Sequence, residues 1–397
     1  MKRFMFLQKN KVILTFTLSL IYYTLYVRNL QVAKLKNIEI FNREKQKFME
    51  KRMTIKDIAR LAGVSVGAVS TAFSKKSTNV HLSEATREKI FRIAREHNYI
   101  PNITARSMQS QKSYLLGFFY RTNNPFLQTN VLKGIKKACY EYDYDIIVYP
   151  CDTLDEEAHN LQTLHVRQLD GIITIPVVDD GKTNEKLYRS LLDRGIPLVQ
   201  LFADLWQDLP VIGRDYRKIG SNAVNLLYEN GHRHVAMMVF SNYLDRRIGL
   251  NNALLMEGVQ STAESLGMEL ELLTISNDVL RDDYVKEADR EAEKLLHMTR
   301  RPTALITASA LLSYGAYACL NRNGIKVPEE MSLLACGDDI EQFSQLAPNL
   351  SYFPVALEEM GWTSAKYCLE KGAGFPLKQY FTSSVCVGNT ISSVHAI

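Results

Sequence analysis

The sequence lacks most of the residue patterns that mark a disulfide-stabilised protein, a metal protein or a common enzyme. Its six cysteines are scattered over 397 residues, and none forms a Cys-x-x-Cys pair. This spacing argues against a disulfide framework and a structural zinc site. We therefore expect all six to be small buried residues in a reducing compartment. Walker loops and His-Glu-x-x-His motifs are also absent, so we expect no enzyme activity, catalytic residue, metal or cofactor.

Charge is unevenly distributed along the chain, although the net charge is only +5. Residues 1–52 carry twelve Lys or Arg against three Asp or Glu, and residues 53–112 carry ten against four. The remainder, 113–397, carries 26 against 36. A basic end on an acidic body indicates a nucleic-acid-binding head on a ligand-binding domain. The length and the 46% hydrophobic content suffice for two or three domains.

The first 52 residues contain one uncharged run of 16 residues, at positions 12–27. A signal peptide is one interpretation, but no small-residue cleavage site follows the run. A membrane anchor is another, but the run is shorter than the ~20 residues that span a bilayer comfortably. The third is that translation begins at Met53 and that 1–52 is upstream sequence. We favour the third, and keep a membrane-tethered or exported solute-binding protein as the alternative function.

Residues 54–73 predict two short helices joined by a tight turn. Thr54 and Asp57 have the spacing of a capping box, which starts the first helix. Gly63 tolerates the left-handed backbone that ends it, and Ser65 can cap the second. Two helices so joined form a helix-turn-helix, whose second helix fits the DNA major groove. We expect Ser83 to start a third helix that closes a small core over the first two.

Apolar runs alternate with amphipathic helices through residues 113–397, which predicts two doubly wound parallel sheets. Ligands of such sheets bind beyond the carboxyl ends of the strands. The expected strands are 114–120, 145–150, 171–176, one near Val211, 234–240, 270–275, 304–307 and 331–335. The expected helices are 127–142, 156–168, 184–195, 219–230, 249–266, 284–297 and 311–323.

The segments TIKDIARLAGVSVGAVS (54–70) and LSEATREKIFRIAREHNYIPNITARSM (82–108) resemble the headpiece of the lactose-repressor (LacI/GalR) family of bacterial transcription regulators. The resemblance implies an α/β fold class: an all-α helix-turn-helix headpiece and a two-lobed, periplasmic-binding-protein-like core of doubly wound parallel sheets. It implies a headpiece at 53–101, a hinge helix at 102–112 and an effector-binding and dimerisation core at 113–397. The expected protein is a cytoplasmic, homodimeric regulator, more often a repressor, that binds a pseudo-palindromic DNA operator.

The resemblance also implies DNA-contacting positions. Val66, Gly67 and Thr71 are expected to contact base edges. The positions expected to contact phosphates are Thr54, Ser65, Ser70, His81, Tyr99 and Asn102. Ala105 and Met108 belong to the hinge helix, and Met108 stands where the family has a leucine that wedges between base pairs of the minor groove. Because the three base-reading positions include no arginine for bidentate guanine recognition, we expect weak direct readout.

A small-molecule effector, in this family often a sugar, is expected between the lobes. Asp338 and Asp339 follow the 331–335 strand where the family usually has one Asp, and Asn124 and Phe126 match a loop of the first lobe. Two usual polar anchors are missing: alignment on Gly258 puts Leu255 at an arginine position, and residues 309–310 stand where an Asn or Asp is common. The effector is therefore expected to be unusual, weakly bound or absent.

Overall fold

A computed structural model describes residues 53–73, 82–101, 107, 110–122, 125–164, 169–276, 283–337 and 349–394, without the side chains of residues 125 and 126. The chain divides into two compact units after Pro101. Within these described ranges no helix has the length and apolar character needed to cross a membrane. The apolar run at 12–27 lies outside them.

The amino-terminal unit is a three-helix cluster: α1 (Ile55–Ala62), α2 (Val66–Phe73) and α3 (Glu84–Glu96). Thr54 and Asp57 form the predicted capping box at the start of α1, and Gly63 ends that helix with φ +67°. The buried side chains of the cluster all lie on the inward faces of the three helices: Ile58, Ala59, Ala62, Val69, Ala72, Ile90 and Ile93. The helix-turn-helix prediction is confirmed.

The carboxyl-terminal unit contains two parallel sheets. The first has the strand order β11-β5-β4-β3-β1-β2. Its strands are β1 (Leu115–Tyr120), β2 (Asp145–Pro150), β3 (Gly171–Thr174), β4 (Leu198–Phe202), β5 (Val211–Arg214) and β11 (Lys378–Phe381). Its helices are α4 (Pro125–Tyr142), α5 (Leu154–Thr163), α6 (Glu185–Asp193) and α11 (Leu357–Leu369).

The second sheet has the order β10-β9-β8-β6-β7 and is also parallel throughout. Its strands are β6 (His234–Phe240), β7 (Glu269–Ile275), β8 (Ala304–Thr307), β9 (Ser332–Ala335) and β10 (Ser351–Tyr352). Its helices are α7 (Tyr216–Glu229), α8 (Arg246–Ser265), α9 (Tyr284–Leu296) and α10 (Ala310–Arg322). The predicted architecture of two doubly wound lobes is confirmed.

The chain passes between the lobes more than once, so neither lobe is a continuous segment. It leaves the first sheet after Arg214, returns near Phe353 to form α11, and adds β11 beside β5 in the first sheet. The last residues then return to the second lobe, where Tyr352 and Cys386 form a backbone bridge. The carboxyl-terminal segment therefore contributes to both lobes.

One prediction of burial was wrong. Five of the six cysteines are buried, but Cys386 is exposed. It lies on the returning carboxyl-terminal segment, which covers the second lobe and leaves one of its own faces in solvent. Burial raises the thiol pKa of Cys139 and of Cys336 to about 12, so both thiols are uncharged at neutral pH.

Candidate DNA-binding face and effector cleft

The turn between α1 and α2 is held by local hydrogen bonds. The Ser65 hydroxyl accepts a hydrogen bond from the Ala68 backbone N–H at 3.1 Å, as an N-cap does. Residues 63–67 also spell Gly-x-Ser-x-Gly, the pattern of a hydrolase nucleophile turn. That pattern requires a strand before the serine, whereas here a helix precedes and follows it. Ser65 therefore starts a helix and has no nucleophile geometry.

The side chains that point away from the three-helix core form one continuous face on α2. Ser65, Val66, Gly67 and Ser70 are exposed, and Val66 is 41% exposed. Thr71 is half-buried beside them. Since Val69 and Ala72 are buried on the opposite side, the helix can present these residues to a groove without disturbing its packing.

Two further predicted contacts lie at the edges of this face. Thr54 is exposed, and its hydroxyl donates to the Asp57 carboxylate at 2.7 Å. The ring of Tyr99 packs edge-on against Phe73 at 5.6 Å between centroids, and burial raises the pKa of its hydroxyl. The predicted DNA contacts His81, Asn102, Ala105 and Met108 lie outside the described residues, and their roles stay predictions.

In the first lobe, the carboxyl edge of the sheet contains a buried acidic network. The Glu157 carboxylate accepts hydrogen bonds from the Tyr188 hydroxyl at 2.8 Å and the Val177 N–H at 3.0 Å. The Asn184 amide donates to it at 2.9 Å, and Thr174 bonds Tyr188 at 2.7 Å. Burial raises the pKa of Glu157, and these donors partly oppose the shift. Because its partners all belong to the same lobe, the carboxylate holds this edge rigid.

In the second lobe, a hydroxyl pair occupies the corresponding edge. Thr307, the last residue of β8, bonds the Ser313 hydroxyl at 2.6 Å. Ser309 occupies the N-cap position of α10, but its hydroxyl makes no hydrogen bond to any described residue. This is the position where the resemblance led us to expect an Asn or Asp.

Alignment on Gly258 was a poor guide to the arginine position. Leu255 is buried in the apolar core between α7 and α8, so no side chain there can reach a cleft. Arg246 and Arg247 instead occupy the first turn of α8, just beyond the carboxyl end of β6. They also precede a glycine, Gly249, and this nearer Arg–Gly spacing was the sequence signal that the alignment missed.

The Arg247 side chain lies at the rim where the lobes meet. A Cβ built on Gly181 of the first lobe would lie 3.1 Å from the Arg247 Cβ, so the turn at 179–182 packs directly against this arginine. The Arg247 guanidinium pairs with Asp245. Of the predicted effector contacts, Asn124, Asp338 and Asp339 lie outside the described residues, and for Phe126 only its place in the first turn of α4 is described.

Arg214 joins the lobes below this rim. It ends β5 of the first sheet, is 3% exposed, and donates to the Cys336 carbonyl oxygen, beyond β9, at 2.5 Å. It also donates to the carbonyl oxygens of Phe353 and Pro354, on the returning segment, at 2.7 and 3.3 Å. One guanidinium thus holds together two of the three chain crossings and the edge of the second sheet.

Comparison with known families agrees with this geometry. The family model described as bacterial regulatory proteins, lacI family, matches residues 54–102, which contain all three headpiece helices. This segment of the chain is therefore similar to the DNA-binding domain of the lacI family. A second model, the periplasmic binding protein-like domain, matches residues 224–378, within the two-lobed unit.

Curated members of the lacI family align with most of this chain. A probable HTH-type transcriptional regulator, EndR of Paenibacillus polymyxa, is 28% identical over 324 residues, covering 80% of this chain and 90% of the relative. The ribose operon repressor of Escherichia coli K12 is 26% identical over 319 residues, covering 78% and 89%. The relatives are thus named as transcriptional regulators.

Solved structures show the same fold at low sequence identity. The lac repressor dimer bound to operator and an anti-inducer has a TM-score of 0.66 and 20% identity, and covers 86% of this chain and 100% of its own. A complex of the transcriptional regulator CelR with cellobiose has a TM-score of 0.58 and 20% identity, and covers 85% and 100%.

Proposed function

We propose that this chain is a sequence-specific DNA-binding transcription regulator, and a repressor rather than an enzyme. The observation that carries the proposal is the outward face of α2, residues 65–71, on a helix-turn-helix that matches the lacI family. The helix is packed on its buried side by α1 and α3, so it is a rigid element that the major groove can admit. The basic charge of residues 53–112 supplies the attraction to phosphates.

The expected assembly is a cytoplasmic homodimer on a pseudo-palindromic operator, because two identical heads related by a twofold axis bind two inverted half-sites. The lac repressor structure is a dimer on its operator, which supports this assembly. The hinge helix at 102–112 would pair in the minor groove, with Met108 as the wedge. We expect Met108→Gly to weaken specific binding and to leave the dimer intact.

The effector is proposed to be a small polar molecule, such as a sugar, that binds between the two lobes. The neighbouring CelR structure binds cellobiose, and the contact between Arg247 and the 179–182 turn shows where the lobes approach each other. A ligand that favours one lobe arrangement would shift DNA affinity by a coupling free energy of typically 1–3 kcal/mol.

Selection of bound sites from random duplex DNA with full-length protein tests the proposal. We expect an inverted repeat to be enriched, to bind at least 1,000-fold more tightly than random duplex, and to lose affinity steeply with salt. Equal affinity for selected and random duplex at modest ionic strength would refute the proposal. Addition of candidate sugars to the selected complex then identifies effectors by their effect on affinity.

The alternative, a membrane-tethered or exported solute-binding protein, is favoured only by the apolar run at 12–27. Mass spectrometry of the amino terminus of protein made in its native host separates the two. A chain that begins at Met53 contains no such run and excludes the alternative.

A further inference from the structure

Gly67 occupies a helical position that no contact with a described residue requires to be glycine. It is the second residue of α2 and is exposed. A Cβ built there would meet only the Ser65 Oγ, at 3.7 Å, which is ordinary contact, and its backbone is outside the left-handed region. Gly63 differs, because its φ of +67° excludes most side chains.

Glycine within a helix is destabilising relative to alanine, because it loses more backbone freedom on folding. At most buried glycines of this chain, a close approach of another segment explains the residue. For Gly134, a Cβ would lie 1.8 Å from the Glu358 carbonyl oxygen. No such neighbour exists near Gly67 among the described residues, so no internal packing there accounts for this glycine.

The side chains around Gly67 limit what that molecule can offer. Residues 65–73, SVGAVSTAF, include no Arg, Lys, Asn, Gln, Asp or Glu. The face therefore lacks the bidentate groups that read guanine and adenine, and the acids that read cytosine. It does present the Val66 side chain, 41% exposed, and in the major groove the apolar group available to it is the thymine 5-methyl group.

We propose that Val66 and Gly67 form a thymine-methyl-reading edge. The Val66 side chain packs on the 5-methyl group, and the missing Cβ of Gly67 lets the α2 backbone approach the groove floor closely enough for that contact. The inference rests on the proposed DNA-binding function, and it names the base chemistry that the face recognises. Specificity then comes from apolar contact and shape instead of arginine–guanine pairing.

The first experiment changes one methyl group at a time. In the selected operator, each thymine is replaced by deoxyuridine, which removes only the 5-methyl group and keeps every Watson–Crick partner. We expect Val66 to contact one thymine in each half-site. Replacement of that thymine in one half-site should lower the affinity about 4-fold, as for the loss of one buried methyl group. Replacement in both half-sites should lower the affinity about 10-fold or more. Specific binding that changes less than 1.5-fold at every thymine would overturn the inference. A failure of the proposed function is distinguishable, since no selected duplex would then be preferred to random DNA.

A second experiment ties the methyl group to Val66. Val66→Ala changes both subunits of the dimer, so it should weaken binding to the thymine operator about 10-fold and leave binding to the operator with deoxyuridine in both half-sites nearly unchanged. Such non-additivity is the signature of two groups in contact. A general loss of folding or of phosphate contacts would weaken both complexes equally, and equal losses would therefore count against a Val66–methyl contact.

Gly67→Ala gives effects of opposite sign on folding and on binding. The free protein should unfold at the same or a higher temperature, because alanine favours the helix and its methyl group fits. Affinity for the selected operator should fall at least 10-fold, because that methyl group now occupies the space between the backbone and the groove floor. A variant that binds the operator as tightly as the parent would show that no close approach occurs at this residue.

Discussion

Replacement of Arg214 by methionine should destabilise the two-lobed unit far more than any surface arginine does. The 3%-exposed guanidinium donates to three backbone carbonyl oxygens, at 2.5, 2.7 and 3.3 Å. Methionine keeps the apolar length but donates nothing, so the carbonyl groups of Cys336 and Phe353 lose their charged partner. Hydrogen bonds to charged groups contribute about 1.5–3 kcal/mol each. Relief of the burial of the charge offsets part of the loss, and we expect a net destabilisation of about 3 kcal/mol.

The assay is thermal unfolding of the full chain at neutral pH, with Arg322→Met as the matched control. Arg322 pairs bidentately with Asp289, but its side chain is 52% exposed, so solvent screens the pair and its loss should cost far less stability than the loss of Arg214. For a unit of this size, the Arg214 variant should unfold on the order of 5 °C lower than the parent, and the control within about 2 °C. Equal shifts for both variants would refute the view that Arg214 holds the chain crossings together.

Two further predictions concern stability. Burial lowers the pKa of His232 below its usual value near 6.5, so the unfolded chain takes up this proton first as the pH falls. The stability that neutral His232 contributes is therefore complete above about pH 6.5 and declines below it. His232→Gln should flatten the pH dependence of the unfolding midpoint between pH 7.5 and 5.5. An unchanged slope would contradict this prediction. Gly134→Ala should cost about 1–3 kcal/mol by overpacking, since its Cβ would lie 1.8 Å from the Glu358 carbonyl oxygen, whereas Lys137→Ala on the exposed face of the same helix should change stability by less than 0.5 kcal/mol.

The sequence was a good guide wherever a strand is short, apolar and bounded by polar residues. The strands Asp145–Pro150, His234–Phe240 and Ala304–Thr307 lie where the pattern predicts them. The strand Leu198–Phe202 was missed, although all its residues are buried. Its central Gln200 reads as a loop residue, but the carboxamide bonds the backbone of Trp206 and Leu205, and this pairing depends on a turn that the periodicity does not show.

The carboxyl-terminal elements were missed for a different reason. The strand β11 has an exposed or half-buried pattern throughout, because it lies at the edge of the first sheet. Its partner β5 is more than 160 residues earlier in the chain, and Lys378 aligns with Val211. Nothing local in the sequence specifies such a pairing.

The DNA-binding face and the effector cleft also differ in how well the sequence predicts them. The DNA-binding face is local: the cap at Thr54, the left-handed Gly63 and the buried Val69 together determine which side of α2 points outward. The cleft is assembled from strand ends of both lobes, so a shift of a few residues in alignment replaces an arginine at the lobe rim with the buried Leu255. Sequence patterns therefore located the face residue by residue, and the cleft only as a region.

Glycines lie where pairs of helices cross in each lobe. In the first lobe, α4 and α11 cross where each contributes a glycine, Gly134 and Gly361, and in the second α7 and α8 cross at Gly220 and Gly258. A Cβ at any of the four would lie between 1.8 and 2.4 Å from a backbone oxygen of the opposite helix, so each glycine records an internal close approach. Gly67 is also a glycine within a helix, but no described backbone atom of another helix comes close to it. Unlike Gly63, it also has no left-handed backbone that would require glycine. Neither internal packing nor backbone conformation accounts for Gly67, and this is why we propose that its partner is DNA in front of the outward face of α2.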